Sequence, residues 1–132
     1  MKKILALLLL VSGLSITQPG QAQQKAKWNE LESFHEVMSK TFHPAEEGKL
    51  EPIRSRSQEM LDKAVAWKSS TAPMGYDKNA VIKYLKKLVK GAKEVNELVK
   101  KNAADDKIKK ELSELHDVFH KIVEKCEKEE SM

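Results

Sequence analysis

Four histidines are the residues of this sequence best suited to chemistry, and they fall in two separate segments of the chain. His35 and His43 belong to an N-terminal segment, whereas His116 and His120 lie four residues apart near the C-terminal end. Four-residue spacing on a helix places two side chains one above the other on a single face. Because both imidazoles then reach one point from a rigid backbone, such a pair commonly holds a transition metal.

The helices that carry these histidines are predicted to be neighbours that run in opposite directions. In that arrangement His35 lies level with His120, and position 39 lies level with His116. The three imidazoles then converge within about one helical turn, roughly 5–6 Å. The sequence therefore predicts a site for Zn, Cu or Ni with His35, His116 and His120 as ligands, since imidazole suits these ions.

Two further residues are candidates for metal binding. His43 lies two turns from His35 and is grouped instead with Glu46 and Glu47, which predicts a separate site or a cap at the helix end. Met38 lies one turn from His35 and is a soft ligand for Cu(I), although methionine in an apolar stripe usually fills the core.

The histidines and the single cysteine also have purely structural interpretations. His35 occupies a core position in its stripe and can be a hydrogen-bonded core histidine. His116 and His120 can be surface residues that complement the helix dipole near its C-terminus. Cys126 is most simply a small buried residue, and as the only cysteine it allows a disulfide only with a second chain.

Apolar residues at three- and four-residue spacing predict the four helices that position these side chains. The stripes are Trp28, Leu31, His35, Met38 and Phe42; Ile53, Ser57, Met60, Ala64 and Trp67; Val81, Leu85, Leu88, Ala92, Val95 and Val99, with Ile82 and Val89 alongside; and Ile108, Leu112, Leu115, Phe119, Ile122 and Cys126. Short connections between them predict an all-α, antiparallel up-down-up-down four-helix bundle over residues 23–132.

Capping and breaking residues predict where these helices begin and end. Pro44 disfavours helix at His43 and is expected to end the first helix there. Pro52 suits the first turn of the second helix. Asp77 and Asp105 are candidate N-caps for the third and fourth helices.

The first 22 residues predict export through a Sec signal peptide. Lys2 and Lys3 precede an apolar run, Ile4 to Leu14, that is too short to span a bilayer, and small residues around Ala22 suit a cleavage site. We expect cleavage after Ala22, a periplasmic location and no stable membrane insertion. The chain is therefore divided into a signal peptide, residues 1–22, and the bundle domain.

Charge and motif content argue against several function classes. The chain has 24 basic and 20 acidic residues and a net charge of +4, and removing Lys2 and Lys3 halves that excess. Lysines lying between acidic residues predict a solvated surface rather than a nucleic-acid interface. No catalytic triad or phosphate-binding loop is found, so no enzymatic activity is expected, whereas paired helix stripes allow a homodimer.

Residues 23–132 resemble, over their whole length, the cytochrome b562 family of exported four-helix bundles, related in architecture to cytochromes c′, and the resemblance is clearest in two short segments. Residues 31–35 are similar to the first-helix segment that ends in that family's axial methionine. Residues 118–120 are similar to the segment that supplies the axial histidine. The resemblance implies a b-type haem held by His35 and His120, although His116 is an additional imidazole where an open haem edge is expected.

Three functions therefore remain open from the sequence. The first is a periplasmic metal-binding bundle for buffering, delivery or sensing. The second is a small electron carrier with haem b, whose potential is set by its axial ligands and its burial. The third is a structural or adaptor bundle without a cofactor.

Overall fold

The computed structural model describes residues 26–126, and this part of the chain forms a four-helix bundle. The helices are α1 (Asn29–Glu46), α2 (Glu51–Ser69), α3 (Lys78–Lys100) and α4 (Asp105–Lys125). The all-α class and the four-helix bundle are thus confirmed. Residues 1–22, the predicted signal peptide, lie outside the described range. Within that range no helix combines the length and apolar character needed to cross a membrane.

The helices occupy the four corners of the bundle. Helices α1 and α3 each pack against both α2 and α4, so α1 and α3 lie at opposite corners. The α1–α4 pair is the least closely packed of the four neighbouring pairs. The two helices that carry the histidines therefore meet at the loosest seam of the bundle.

Hydrogen bonds tie specific helix ends together. At the start of α1, the Trp28 indole Nε1–H donates to Ser70 Oγ, just after α2, over 2.8 Å. Before α3, the Asp77 N–H donates to the Cys126 carbonyl at the end of α4 over 2.7 Å. Cys126 is fully buried, as predicted, and burial followed by the charge of Asp77 raises the pKa of its thiol.

Two of the predicted helix-start signals are confirmed. Pro52 lies in the first turn of α2, where its missing N–H costs nothing. Asp77 is the N-cap of α3, and its carboxylate accepts hydrogen bonds from the backbone N–H groups of Asn79 and Ala80 at 3.0 and 3.2 Å.

The prediction that Pro44 ends α1 near His43 is wrong, because α1 continues to Glu46. A proline in the last turn removes only one helical hydrogen bond. Its own carbonyl still accepts from the Glu47 N–H, and the turn buries Ala45, which is 1% exposed. Burial of this turn outweighs the single lost bond.

The prediction that Asp105 caps α4 is also wrong. Ala104 is the N-cap residue, and no side chain caps this helix. Asp105 is the first helical residue, and its carboxylate accepts a 2.6 Å hydrogen bond from Arg54. The same guanidinium donates to the Ala103 carbonyl over 2.8 Å, so the start of α4 is tied to α2.

The buried stripes of α2 and α4 agree fully with the predicted ones, whereas those of α1 and α3 differ. In α3 the predicted Ile82 is 53% exposed and Val99 is only half-buried, while Asn96 is buried instead. His35 is exposed and does not occupy a core position. The buried residues of α1 are Phe34, Val37, Met38, Thr41 and Ala45. Phe34 takes the core position because burying a benzyl side chain is favourable, whereas burying an imidazole without a partner is costly.

Candidate metal centre

The centre of the candidate site is the histidine pair of α4. Nε2 of His116 lies 3.1 Å from Nε2 of His120, and the two ring centroids are 4.4 Å apart. His116 is partly buried and His120 is exposed. The two Nε2 atoms thus lie at hydrogen-bond distance from each other, at a place that solvent can reach.

A carboxylate on the same helix orients one of these rings. Nδ1 of His120 lies 3.3 Å from Oε1 of Glu124, one turn further along α4. With the proton on Nδ1, facing this carboxylate, Nε2 of His120 accepts the hydrogen bond that Nε2–H of His116 donates. A histidine whose second nitrogen is held by a carboxylate is typical of metal ligands, because the contact sets both tautomer and ring orientation.

Aromatic stacking fixes the other ring and joins the two helices. Phe42 of α1 stacks on His116 with ring centroids 3.9 Å apart and planes inclined by 10°. Further along the seam, Phe119 of α4 stacks on His35 with centroids 5.2 Å apart. Each helix therefore contributes one phenylalanine that packs on a histidine of the other helix.

The electrostatics of His116 keep its ring neutral near pH 7. Burial lowers the pKa of His116 most, and the charges of His120 and His43 lower it further, against the opposing charges of Asp117 and Glu46. A neutral imidazole is the form that binds metal ions. His43 and Glu46 act on this ring from α1, which places their charges near the pair.

The predicted ligands are only partly brought together. Within residues 26–126 no set of three or more His, Cys, Asp or Glu side chains has metal-binding geometry. His35 packs on Phe119 instead of joining the pair, and Phe42, not position 39, lies level with His116. Met38 is 1% exposed and belongs to the core.

Four residues have roles at the site that the sequence-based prediction does not assign to them. Glu124 follows His120 by four residues, and that spacing alone could have pointed to it. Phe42 and Phe119 were assigned to apolar stripes, and periodicity cannot show that their rings stack on histidines. Glu46 was grouped with His43, but its charge also reaches His116.

The interior between α1 and α4 is filled by aromatic rings. Phe34 lies 5.5 Å from Trp67 and 5.9 Å from Phe119, measured between ring centroids. Trp67 and Phe34 are fully buried. Because Phe119 also covers the His35 ring, the residues present do not fit a porphyrin plane between His35 and His120.

Comparison with known proteins gives no match to this chain. No family model, no curated protein and no solved structure is similar to it at a significant level.

Proposed function

We propose that this chain is an exported, periplasmic bundle that binds a transition-metal ion, Zn, Cu or Ni, through its histidine cluster on α1 and α4. Its role would be metal buffering, delivery or sensing. The helices would run up-down-up-down. The N-terminal segment supports export, because its basic start, short apolar run and small residues before position 23 are typical of a cleaved signal peptide.

The observation that carries the proposal is the 3.1 Å separation of the two Nε2 atoms of His116 and His120. Zinc binds histidine nitrogen at about 2.0–2.1 Å, so two such ligands at a tetrahedral angle lie about 3.3 Å apart. The separation of the two nitrogens is therefore close to that of two ligands on one ion, and the ion would replace the proton that lies between them. Glu124 supplies the outer contact that a metal-bound His120 requires.

Contacts between helix ends support the proposed chain directions. A hydrogen bond between Trp28 and Ser70 joins the start of α1 to the residue after α2. A second one, between Asp77 and Cys126, joins the start of α3 to the end of α4. Both contacts favour antiparallel neighbours. An antiparallel α1–α4 pair brings the C-terminal half of α1, with His43 and Glu46, beside His116.

The number of ligands favours an exchangeable ion over a structural one. Structural zinc sites are closed by four protein ligands, whereas sites that exchange or react keep open positions. The pair supplies two ligands, and His43 and Glu46, whose charges act on His116, are the candidates on α1 for a third. Water completes the shell. An open shell suits a protein that takes up and releases its ion.

The filled aromatic interior favours an ion over the haem that the family resemblance implies. A porphyrin between His35 and His120 would have to displace Phe119 and separate two helices. An ion at the outer side of the seam displaces nothing, because His120 is exposed. If the protein binds neither a metal ion nor haem, the remaining function is that of a structural or adaptor bundle.

Titration of the purified exported protein with Zn²⁺, Cu²⁺ and Ni²⁺ by calorimetry tests the proposal. We expect about one ion per chain, and a loss of affinity well beyond tenfold in His116→Gln and in His120→Gln. His35→Gln is the matched control and should bind as the wild type does. Absence of uptake, or unchanged uptake in the pair variants, would refute the proposal.

Two further measurements on the same material complete the test. The intact mass of the exported protein should show cleavage after Ala22, and a retained N-terminal segment would contradict the proposed export route. Addition of haem should give no sharp Soret band. A Soret band that disappears in His35→Gln would instead select the haem carrier.

A further inference from the structure

The charge of α3 differs from that of every other helix in the bundle. Its sequence contains seven lysines, two glutamates and no arginine, and neither glutamate precedes position 94. All seven lysines are exposed. The expectation that lysines alternate with acidic residues is therefore wrong for this helix, where the positive charges form one uninterrupted run from Lys78 to Lys93.

Five of these lysines form a continuous basic face, termed the lysine face. Its members are Lys83, Lys86, Lys87, Lys90 and Lys93. At 1.5 Å per residue they extend over about 15 Å of helix. In the described range no ion pair joins an α3 lysine to a carboxylate, whereas α1 and α4 each contain such a pair within one helix.

Acidic residues of both α3 and α4 lie at the edge of the lysine face. Glu94 of α3 and Glu111 and Glu114 of α4 line the groove between the two helices together with Lys87 and Lys90. Glu114 is already paired with Lys110, 3.8 Å away on its own helix. Within residues 26–126 no carboxylate pairs with the outer side of the lysine face, which therefore carries a positive field that attracts anionic partners.

Exposed apolar side chains lie beside the lysines. Ile82 of α3 is 53% exposed, and Met74, in the loop that leads to α3, is 91% exposed. Lys83 and Lys87 hold their ammonium groups 5.9 and 5.4 Å from the centre of the Tyr84 ring. Positive charge and apolar side chains therefore occur together at the same end of the helix.

We infer that the lysine face docks the protein peripherally on a membrane surface of anionic phospholipid, with Ile82 and Met74 entering the headgroup region. Clustered lysines are attracted to anionic headgroups, and adjacent apolar residues add to binding at the interface. This inference goes beyond metal binding and does not depend on it.

The choice of side chains favours a lipid surface over a nucleic acid. Lysine is a flexible point charge that suits a fluid field of headgroups, whereas arginine is preferred for paired hydrogen bonds to a fixed phosphate. Single strands are bound by exposed aromatic rings on which bases stack, but Tyr84 is only partly exposed. The exposed non-polar side chains here are aliphatic.

The position of α3 in the bundle suits a membrane-bound protein with an accessible metal site. Helix α1 lies at the corner opposite α3 and carries four glutamates and one lysine. With α3 on the membrane, the acidic α1 faces away from the anionic surface, and the seam that contains His116 and His120 stays open to solvent.

Co-sedimentation of the purified protein with vesicles tests the inference. We expect binding to vesicles of phosphatidylglycerol and phosphatidylcholine, little binding to pure phosphatidylcholine, and release in 0.5 M salt, a concentration of roughly the order that screens surface charges. A quadruple variant should bind roughly 600-fold more weakly, because each of the four lysines contributes about fivefold. Its substitutions are Lys83→Gln, Lys86→Gln, Lys87→Gln and Lys90→Gln.

A second quadruple variant on α4 controls for net charge and should retain the affinity of the wild type. Its substitutions are Lys107→Gln, Lys109→Gln, Lys110→Gln and Lys121→Gln. Equal weakening of the two variants would overturn the inference, because binding would then follow net charge alone. Circular dichroism of both variants confirms that each is folded before it is compared.

A pair of single variants and a competing polyanion complete the test. Ile82→Ser should weaken vesicle binding, whereas Val65→Ser, at a position 44% exposed on α2, should not. Equal binding of these two variants to the vesicles would overturn the claim that Ile82 enters the headgroup region. Tighter binding of a single-stranded oligonucleotide than of vesicles, compared at equal phosphate, would overturn the lipid surface as the partner.

Discussion

Phe42 and His116 lie ring against ring, with centroids 3.9 Å apart and planes inclined by 10°. The contact crosses the loosest seam of the bundle, between α1 and α4. It holds the His116 ring in one orientation, so that its Nε2 faces Nε2 of His120. The proposed metal site thus depends on a residue of α1 that has no ligand atom of its own.

Loss of this stacking should weaken metal binding. Phe42→Leu keeps an apolar side chain but removes the ring that orients His116. Aromatic pairs contribute about 0.5–1.5 kcal/mol beyond burial, which corresponds to a loss of about twofold to tenfold in Zn²⁺ affinity. Calorimetric titration of the Phe42→Leu variant with Zn²⁺ measures this loss of affinity. Phe42→Tyr keeps the ring and should restore the affinity; equal affinities for the Leu and Tyr variants would contradict the role of stacking.

Removal of the carboxylate behind His120 should have a larger effect. Outer contacts of ligating histidines contribute about 10- to 100-fold to metal affinity. Because the Glu124 side chain is 64% exposed, solvent screens the contact, and we expect about tenfold weaker Zn²⁺ binding in Glu124→Ala.

Glu114→Ala serves as the control for charge. It removes one negative charge from the same helix but leaves the contact between Glu124 and Nδ1 of His120 in place. Its Zn²⁺ affinity should remain close to that of the wild type. If both alanine variants lose affinity equally, the helix charge matters and the contact between His120 and Glu124 does not.

The spacing of apolar residues predicted the helices well, because most of these residues can be buried on only one face of their helix. The stripe of α4, from Ile108 to Cys126, is buried throughout, and long apolar side chains at four-residue spacing leave no competing face. In α1, Phe34 and His35 compete for neighbouring positions, and the sequence does not reveal which is buried. The stronger gain from burying Phe34 decides it.

The candidate site was predictable only where local geometry determines it. His116 and His120 lie on one helix, so their spacing was enough to bring them together. The partners from α1 depend on helix register, which is set by packing across the seam. Register places Phe42 beside His116 and keeps His35 on Phe119, a result that four-residue spacing within α1 cannot supply.

Stability should fall as the pH is lowered through the range where His116 titrates. Burial lowers the folded-state pKa of His116 below its ordinary value of 6.5, so the unfolded chain binds more protons just below that pH. The free energy of unfolding is therefore retained above about pH 6.5 and decreases as the pH falls below it. Urea unfolding at pH 7.5 and pH 5.5, without metal, measures the difference.

His116→Gln should show a smaller decrease between the two pH values than the wild type, because the titrating ring is gone while the other histidines remain. An equal decrease in both proteins would assign the pH dependence to other groups. Zn²⁺ affinity of the wild type should fall over the same interval, since protons compete for the ring nitrogens.

Among the described residues, one fully buried hydrogen bond between side chains joins α2 to α3. It should contribute measurably to stability. Ser57 Oγ donates to Asn96 Oδ1 over 2.9 Å, and both residues are only 4% exposed. Ser57→Ala leaves the Asn96 carbonyl oxygen buried without this donor, which should lower the free energy of unfolding by about 1–3 kcal/mol.

Ser55→Ala is the matched control for this prediction, because Ser55 is exposed and its hydroxyl bonds only to the Pro52 carbonyl within the same helix. It should change the free energy of unfolding by less than about 0.5 kcal/mol. Urea denaturation followed by tryptophan fluorescence compares the two variants. Equal stabilities would mean that another group replaces the lost donor, and that this bridge does not hold α2 against α3.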